Sequence, residues 1–277
     1  MSVRFRSVRV RVPARLLPWI GACRSWLLRH PRVTTSALVV SAVVFWSVTG
    51  AFAWFAWDVT TNLPGRQQVA NIGEMAQATV LYDAADNPVF TIFKEQRIEI
   101  PLSQVSPNLI KALISVEDQR FYDHAGVDVV RIFGAMAVNV RRGRLVQGAS
   151  TITQQLARMS FLYPGKTPTR KLKEALLAAL IEREYSKQEI LQLYLNKAYF
   201  GDGFYGVEAA SRGYLGKSAA TLNVEEAALI AGVVRSPSTW APTVNLEKAV
   251  ARRNVVLLTM VESGVIDRAT YDRARQA

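Results

Sequence analysis

EDQRFYDHAG at residues 117–126, QGASTITQQLAR at 147–158 and RKLKE at 170–174 crowd carboxylates, amides, hydroxyls and cations into one part of the chain, and the runs around them decide the fold. Leu109, Leu113 and Val116 recur at three- and four-residue spacing, which puts Glu117 at the end of an apolar-faced helix. Asp128 caps a helix over 129–140 whose only strongly polar members are Arg131 and Asn139. A helix apolar nearly all round is either buried or pressed into lipid, and burial is the plainer expectation. Thr167-Pro168 starts a helix running through Leu172, Leu176 and Leu180, with Arg170 and Lys171 one turn before Glu174. Ser186 with Glu189 forms a capping box for a helix from 187 to about 199, and helices follow at 224–234 and 246–262. Ser263-Gly264 stops the latter, and Asp267 caps a last short helix.

Upstream the pattern changes. TVLYD (79–83) and PVFTIF (88–93) alternate apolar and polar residues around a turn at 84–87, which predicts a β-hairpin. A lone two-stranded hairpin is only marginally stable, so it needs support from elsewhere. Residues 60–78 read as a polar linker in which Pro64-Gly65 stops any continuing helix.

Residues 33–57 hold no charge, and 25 residues of helix span roughly 37 Å, enough to cross a ~30 Å hydrocarbon layer with some tilt. Ala51-Phe52-Ala53 has the small-x-small form of a signal cleavage site, but the apolar stretch is longer than a signal core. The formal charge of +12 falls to +4 without Arg4, Arg6, Arg9, Arg11, Arg15, Arg24, Arg29 and Arg32. Beside a membrane span these arginines act as a topology signal, placing the amino terminus in the cytoplasm and the rest outside, and no nucleic-acid partner is expected. Cys23 is the only cysteine and lies before the span, so the exported part can form no disulfide. His124 is the only histidine beyond it, which excludes a His-rich zinc site.

The expected organisation is a basic tail (1–32), a transmembrane helix (33–57), a linker (58–78), a hairpin segment (79–102), a helical domain (103–265) and a carboxy-terminal helix (266–277). In the domain, Glu117 and Glu174 are the candidate catalytic pair, since two carboxylates flanking a site suit chemistry at a sugar's anomeric carbon. An ordinary glutamate, with a pKa of ~4.3, is ionised but weakly basic at neutral pH, so burial of the base is expected. Ser150, Thr151, Thr153, Gln154 and Gln155 supply neutral donors for sugar or phosphate oxygens, and Gly148 permits close backbone approach. Read alone, such a cluster is more often a solvated loop and helix cap. Arg158, Lys166, Arg170, Lys171 and Lys173 suit an anionic leaving group, or else form a solvated face paired with Glu174. Arg141, Arg142 and Arg144 read as an exposed loop. GDGFYG at 201–206 matches G-x-G-x-x-G formally but follows a helix, so it is read as a tight loop near the substrate.

The three blocks, the 57-residue spacing of the glutamates, SKQEILQLYLNKAYFG and LIAGVVRSPSTWAP together closely resemble glycosyltransferase family 51, the peptidoglycan glycosyltransferases. The resemblance implies a mainly α, lysozyme-like domain behind one amino-terminal membrane helix, polymerising lipid II into β-1,4-linked strands at the bacterial cytoplasmic membrane. It implies Glu117 as the base on the acceptor 4-hydroxyl and Glu174 assisting the donor. Asp118, Phe121, His124 and Gly126 match the rest of the first block, and Thr151, Gln154, Gln155, Arg158, Arg170 and Lys171 match positions lining the donor and diphosphate region. Implied partners are lipid II, the growing glycan, membrane lipids and cell-wall synthesis proteins. No cofactor is called for, with a divalent cation (Mg or Mn) at the diphosphate left open. Gln192 stands where the family usually has glutamate, and Arg158 and Lys166 exchange its usual lysine and arginine. A lysozyme-like hydrolase and a non-catalytic scaffold are the rival readings. No Ser-x-x-Lys, Ser-x-Asn or Lys-Thr-Gly set with a following domain is present, so no transpeptidase is expected in these residues. The hairpin and the tail nonetheless resemble the flanks of bifunctional penicillin-binding proteins, which points to an amino-terminal portion or a shortened relative.

Overall fold

The computed structural model describes residues 30–61, 63–74, 79–84, 88–92, 96–144, 148–162, 165 and 167–277. The arginine-rich tail, the centre of the hairpin turn and Lys166 lie outside the described residues. The chain divides into two units, Met1–Thr61 and Asn62–Ala277.

In the first unit α1 (Pro31–Thr61) is a 31-residue helix long and apolar enough to cross a membrane. It outruns the charge-free stretch at its carboxy end, where Thr60 and Thr61 donate their hydroxyls to the carbonyls of Ala56 and Trp57 at 2.8 and 2.7 Å. Such back-bonding lets threonine sit in an apolar helix without an unsatisfied hydroxyl.

The second unit begins with a departure from the expected linker. Residues 66–70 form a short helix, α2 (Arg66–Ala70), and Val69 and Ile72 enter the core. The reason is their three-residue spacing on one face, reinforced by Lys197 Nζ, which donates to the Ile72 carbonyl at 2.9 Å. β1 (Thr79–Tyr82) and β2 (Pro88–Ile92) pair antiparallel, with Leu81 opposite Phe90, as the hairpin reading requires. β3 (Gln96–Arg97) finds a parallel partner far along the chain, discussed below.

The helical body follows in order: α3 (Pro107–Glu117), α4 (Val129–Arg142), α5 (Ile152–Phe161), α6 (Pro168–Glu184), α7 (Lys187–Lys197), β4 (Phe204–Tyr205), α8 (Val207–Leu215), α9 (Val224–Val233), α10 (Pro237–Trp240), α11 (Leu246–Glu262) and α12 (Arg268–Gln276). α3 packs on α9 and α11, and α5 packs on α6 and α7. Leu109, Leu113, Leu156, Leu177, Ile181 and Ile190 are fully buried at these contacts. Each such side chain contributes about 1.5–3 kcal/mol by leaving water. Predicted caps form at Ser186, where the hydroxyl accepts from Glu189 N at 3.3 Å, and at Asp267. Hydrogen bonds from the Ser186 hydroxyl and amide hold the Glu189 carboxyl below the usual carboxylate range.

Three local outcomes bear on the reading of the sequence. β4 pairs with β3, Gln96 opposite Phe204, and the GDGFYG loop supplies that strand through positive φ at Gly201, Gly203 and Gly206. Gln192 accepts from the Leu102 amide at 2.9 Å, a structural contact. The expected burial of the helix over 129–140 is overturned. In α4 only Ala135 is buried, whereas Phe133, Met136 and Val140 are 65%, 52% and 77% exposed. Its few inward contacts leave an apolar stripe facing outward.

Candidate active site

Glu117 closes α3 and is 7% exposed. Its Oε2 accepts from Gln155 Nε2 at 2.8 Å, and its Oε1 is buried with no hydrogen bond from the protein. Gln155 is held in that orientation because its own oxygen accepts from the Tyr194 hydroxyl at 3.2 Å. Burial, and then the negative charge of Glu117, push the Tyr194 hydroxyl well above its ordinary pKa, so it remains a donor. The surrounding cleft, of about 190 Å³, is lined by Glu117, Arg131, Gly148, Ser150, Gln155, Arg158 and Arg235. A larger cavity of about 480 Å³ shares Arg131, Gly148 and Arg235 with it and adds Arg120, Arg252 and Gln119.

Glu174 lies on α6 and is 1% exposed. Its Oε1 accepts from Arg170 Nη1 and its Oε2 from Lys171 Nζ, the latter at 2.7 Å. Lys171 Nζ also donates to Ser150 Oγ at 2.6 Å and lies 3.4 Å from Gln154 Oε1. The amino-terminal end of α5 therefore joins the two carboxylates: Gln155 bonds Glu117, and its neighbour Gln154 meets the lysine paired with Glu174. Both oxygens of Glu174 are taken by cations, and no group of three or more His, Cys, Asp or Glu converges among the described residues.

The remaining residues of the blocks build the frame. Asp118 is fully buried, accepts from the Ile152 amide at 3.0 Å, and has both oxygens 3.1 Å from His124 Nε2. Phe121 has no exposed surface and lies under the Lys187 ammonium at 4.5 Å. Thr151 caps α5, accepting from Gln154 N at 3.1 Å while donating to the Gly126 carbonyl at 2.6 Å. Thr153 donates to Glu182 at 2.6 Å. The hydroxyls of Thr151 and Thr153 are thus engaged inside the protein, while Gly148, Ser150, Gln155 and Arg158 reach the cleft.

Gly126 has φ +84°, and a Cβ there would stand 2.9 Å from the Ala178 carbonyl group on α6. Gly126→Ala is expected to cost about 2–4 kcal/mol from left-handed strain and overpacking together. Denaturant unfolding reads this directly, and a midpoint equal to wild type would show that α6 yields.

Arg131, Tyr194, Arg235 and Arg252 were not anticipated as parts of the site. Arg252 stacks over Trp240 at 4.9 Å, and burial together with the charge of Arg235 lowers its pKa, Glu117 opposing the shift. The available signal was weak: Arg131 and Tyr194 stand among mostly apolar neighbours, whereas Arg252 lies beside Arg253 and Asn254 in a charged stretch. The GDGFYG loop, by contrast, is not among the residues lining either cavity.

Comparisons with known proteins identify the family. The family model described as Transglycosylase matches residues 85–261. Penicillin-binding protein 1A of Escherichia coli K12 is 47% identical over 195 residues, covering 70% of this chain and 23% of that protein. Penicillin-binding protein 2D of Bacillus subtilis 168 is 40% identical over 247 residues, covering 88% of this chain and 36% of that protein. A crystal structure of penicillin-binding protein 1A from Haemophilus influenzae superposes with a TM-score of 0.43 at 26% identity, over 74% of this chain and 21% of that one. The chain spans about a quarter to a third of the length of the curated relatives it matches. With the family model covering well over half of its residues, the chain belongs to the transglycosylase family, the family 51 glycosyltransferases.

Proposed function

We propose that this protein is a membrane-anchored peptidoglycan glycosyltransferase that polymerises lipid II and releases undecaprenyl diphosphate. The observation that carries the proposal is the pairing of a half-satisfied buried carboxylate, Glu117, with a second carboxylate already neutralised by two cations. Glu117 Oε1 takes the proton of the acceptor 4-hydroxyl as that oxygen attacks the donor's anomeric carbon. The bond from that carbon to the diphosphate breaks, and its electron pair leaves with the diphosphate. Lys171 and Arg170, oriented by Glu174, stabilise the departing charge, and Ser150 and Gln154 hold Lys171 in place. Arg158 lines the Glu117 cleft and adds positive potential on the sugar side.

A lipid-borne substrate requires the cleft at a bilayer. α1 anchors the chain, the arginine tail holds the amino terminus in the cytoplasm, and the domain works on the outer face. The apolar stripe of α4 rests in the lipid, and Arg141 and Arg142 in its last turn meet anionic headgroups. A fluorophore on Val140→Cys, in a Cys23→Ser background and with the protein in vesicles, is expected to be quenched strongly by brominated lipid. A label on Asp272→Cys is the water-exposed control, and equal quenching at both sites would remove α4 from the membrane.

The deciding experiment is polymerisation of labelled lipid II by the detergent-solubilised chain. Long glycan products support the proposal. Fragments released from finished wall, without polymer from lipid II, would establish a hydrolase, and neither activity would leave a scaffold.

A further inference from the structure

We propose that Arg131 is a positioning residue for Glu117, acting through that residue's carbonyl and through Asp118; this rests on the reading of Glu117 as the base. Arg131 belongs to α4, the helix with the outward apolar stripe, yet its guanidinium turns inward. Its backbone amide is pinned by the cap, donating to Asp128 Oδ1 at 2.9 Å. From there Nη1 donates to the Glu117 carbonyl and stands 3.6 Å from Asp118 Oδ1.

The carboxy-terminal carbonyls of a helix lack intrahelical donors and carry partial negative charge, so a cation there stabilises the last turn. Glu117 is the last residue of α3 and offers such a carbonyl. The guanidinium also sits beside fully buried Asp118, which in turn binds His124 and the Ile152 amide. Glu117 is thereby held at three points: its carbonyl by Arg131, its successor's side chain by Arg131, His124 and α5, and its Oε2 by Gln155. Only Oε1 remains for the acceptor hydroxyl. Without Arg131 the last turn of α3 loosens, and a displacement of the base by about 1 Å is enough to cost on the order of 10²-fold in rate.

The side chain is 26% exposed and lines both cavities, so direct contact with substrate is the competing role. Kinetics separates the two. In steady-state polymerisation of labelled lipid II, Arg131→Met is expected to lower kcat roughly 10–100-fold with KM within about threefold of wild type. Arg131→Lys, which keeps the charge on a single donating nitrogen, should recover part of the rate. In a Glu117→Gln background Arg131→Met should change the residual rate little, because its effect passes through the base. Full additivity in that cycle, a raised KM with unchanged kcat, or wild-type kcat in Arg131→Met would each overturn the proposal. Thermal unfolding of each variant fixes an assay temperature at which all are folded, so loss of fold is not mistaken for loss of position. Absence of polymer from the wild-type chain would instead refute the assignment of Glu117 itself.

Discussion

Glu117→Gln is expected to lower lipid II polymerisation by roughly 10²–10⁴-fold, the usual worth of a positioned general base. The substitution preserves shape, and Gln155 can still donate to the new side chain's oxygen. What disappears is the only group at this position able to accept the acceptor's proton. Stability is expected to stay within about 1 kcal/mol or to rise, because a carboxylate oxygen buried without a protein donor is replaced by part of a neutral amide. Polymer yield measured beside thermal unfolding distinguishes this from damage to the fold. Equal yield from the two proteins would refute the mechanism.

Glu174→Gln removes the charge that organises Arg170 and Lys171, and a loss of about 10²–10³-fold in turnover is expected, comparable to removing a preorganised electrostatic contact. Here stability should fall as well. Breaking a fully buried pair costs about 3–5 kcal/mol, but Lys171 is 46% exposed and water reclaims part of the charge, so about 1–3 kcal/mol is the expected decrease. The two glutamates therefore differ in signature: at Glu117 activity falls with stability held, and at Glu174 both fall. Similar stability losses at both sites would mean that Glu117, too, is chiefly an ion-pair partner.

Much of this was readable from local spacing. The capping residues at Asp128, Thr167, Ser186 and Asp267 are short-range chemistry, and each starts the helix that its side chain predicts. The i, i+4 placement of Arg170 and Glu174 foretells their pairing, since helical geometry brings those positions together. The two-residue strands β3 and β4 could not be foreseen, being too short for a pattern and about a hundred residues apart. α4 shows the limit from the other side: its sequence is equally suited to a core and to lipid, and only the placement of its neighbours leaves the stripe outward.

The amino-acid sequence by itself determined most of the longer helices, though not those at 66–70, 152–161 and 207–215, together with the membrane-length span, the two candidate glutamates and the cations near the second, because these depend on periodicity and on residues within a few positions of one another. Only the tertiary structure decided which hydroxyls frame the site and which residues reach its cleft. Thr151 and Thr153 turn inward to partners 25 and 29 residues away, whereas Arg131, Arg235 and Arg252 converge near Glu117 from three separate segments. Such convergence depends on how helices pack, and packing is a property of the whole core that the spacing within one segment does not encode.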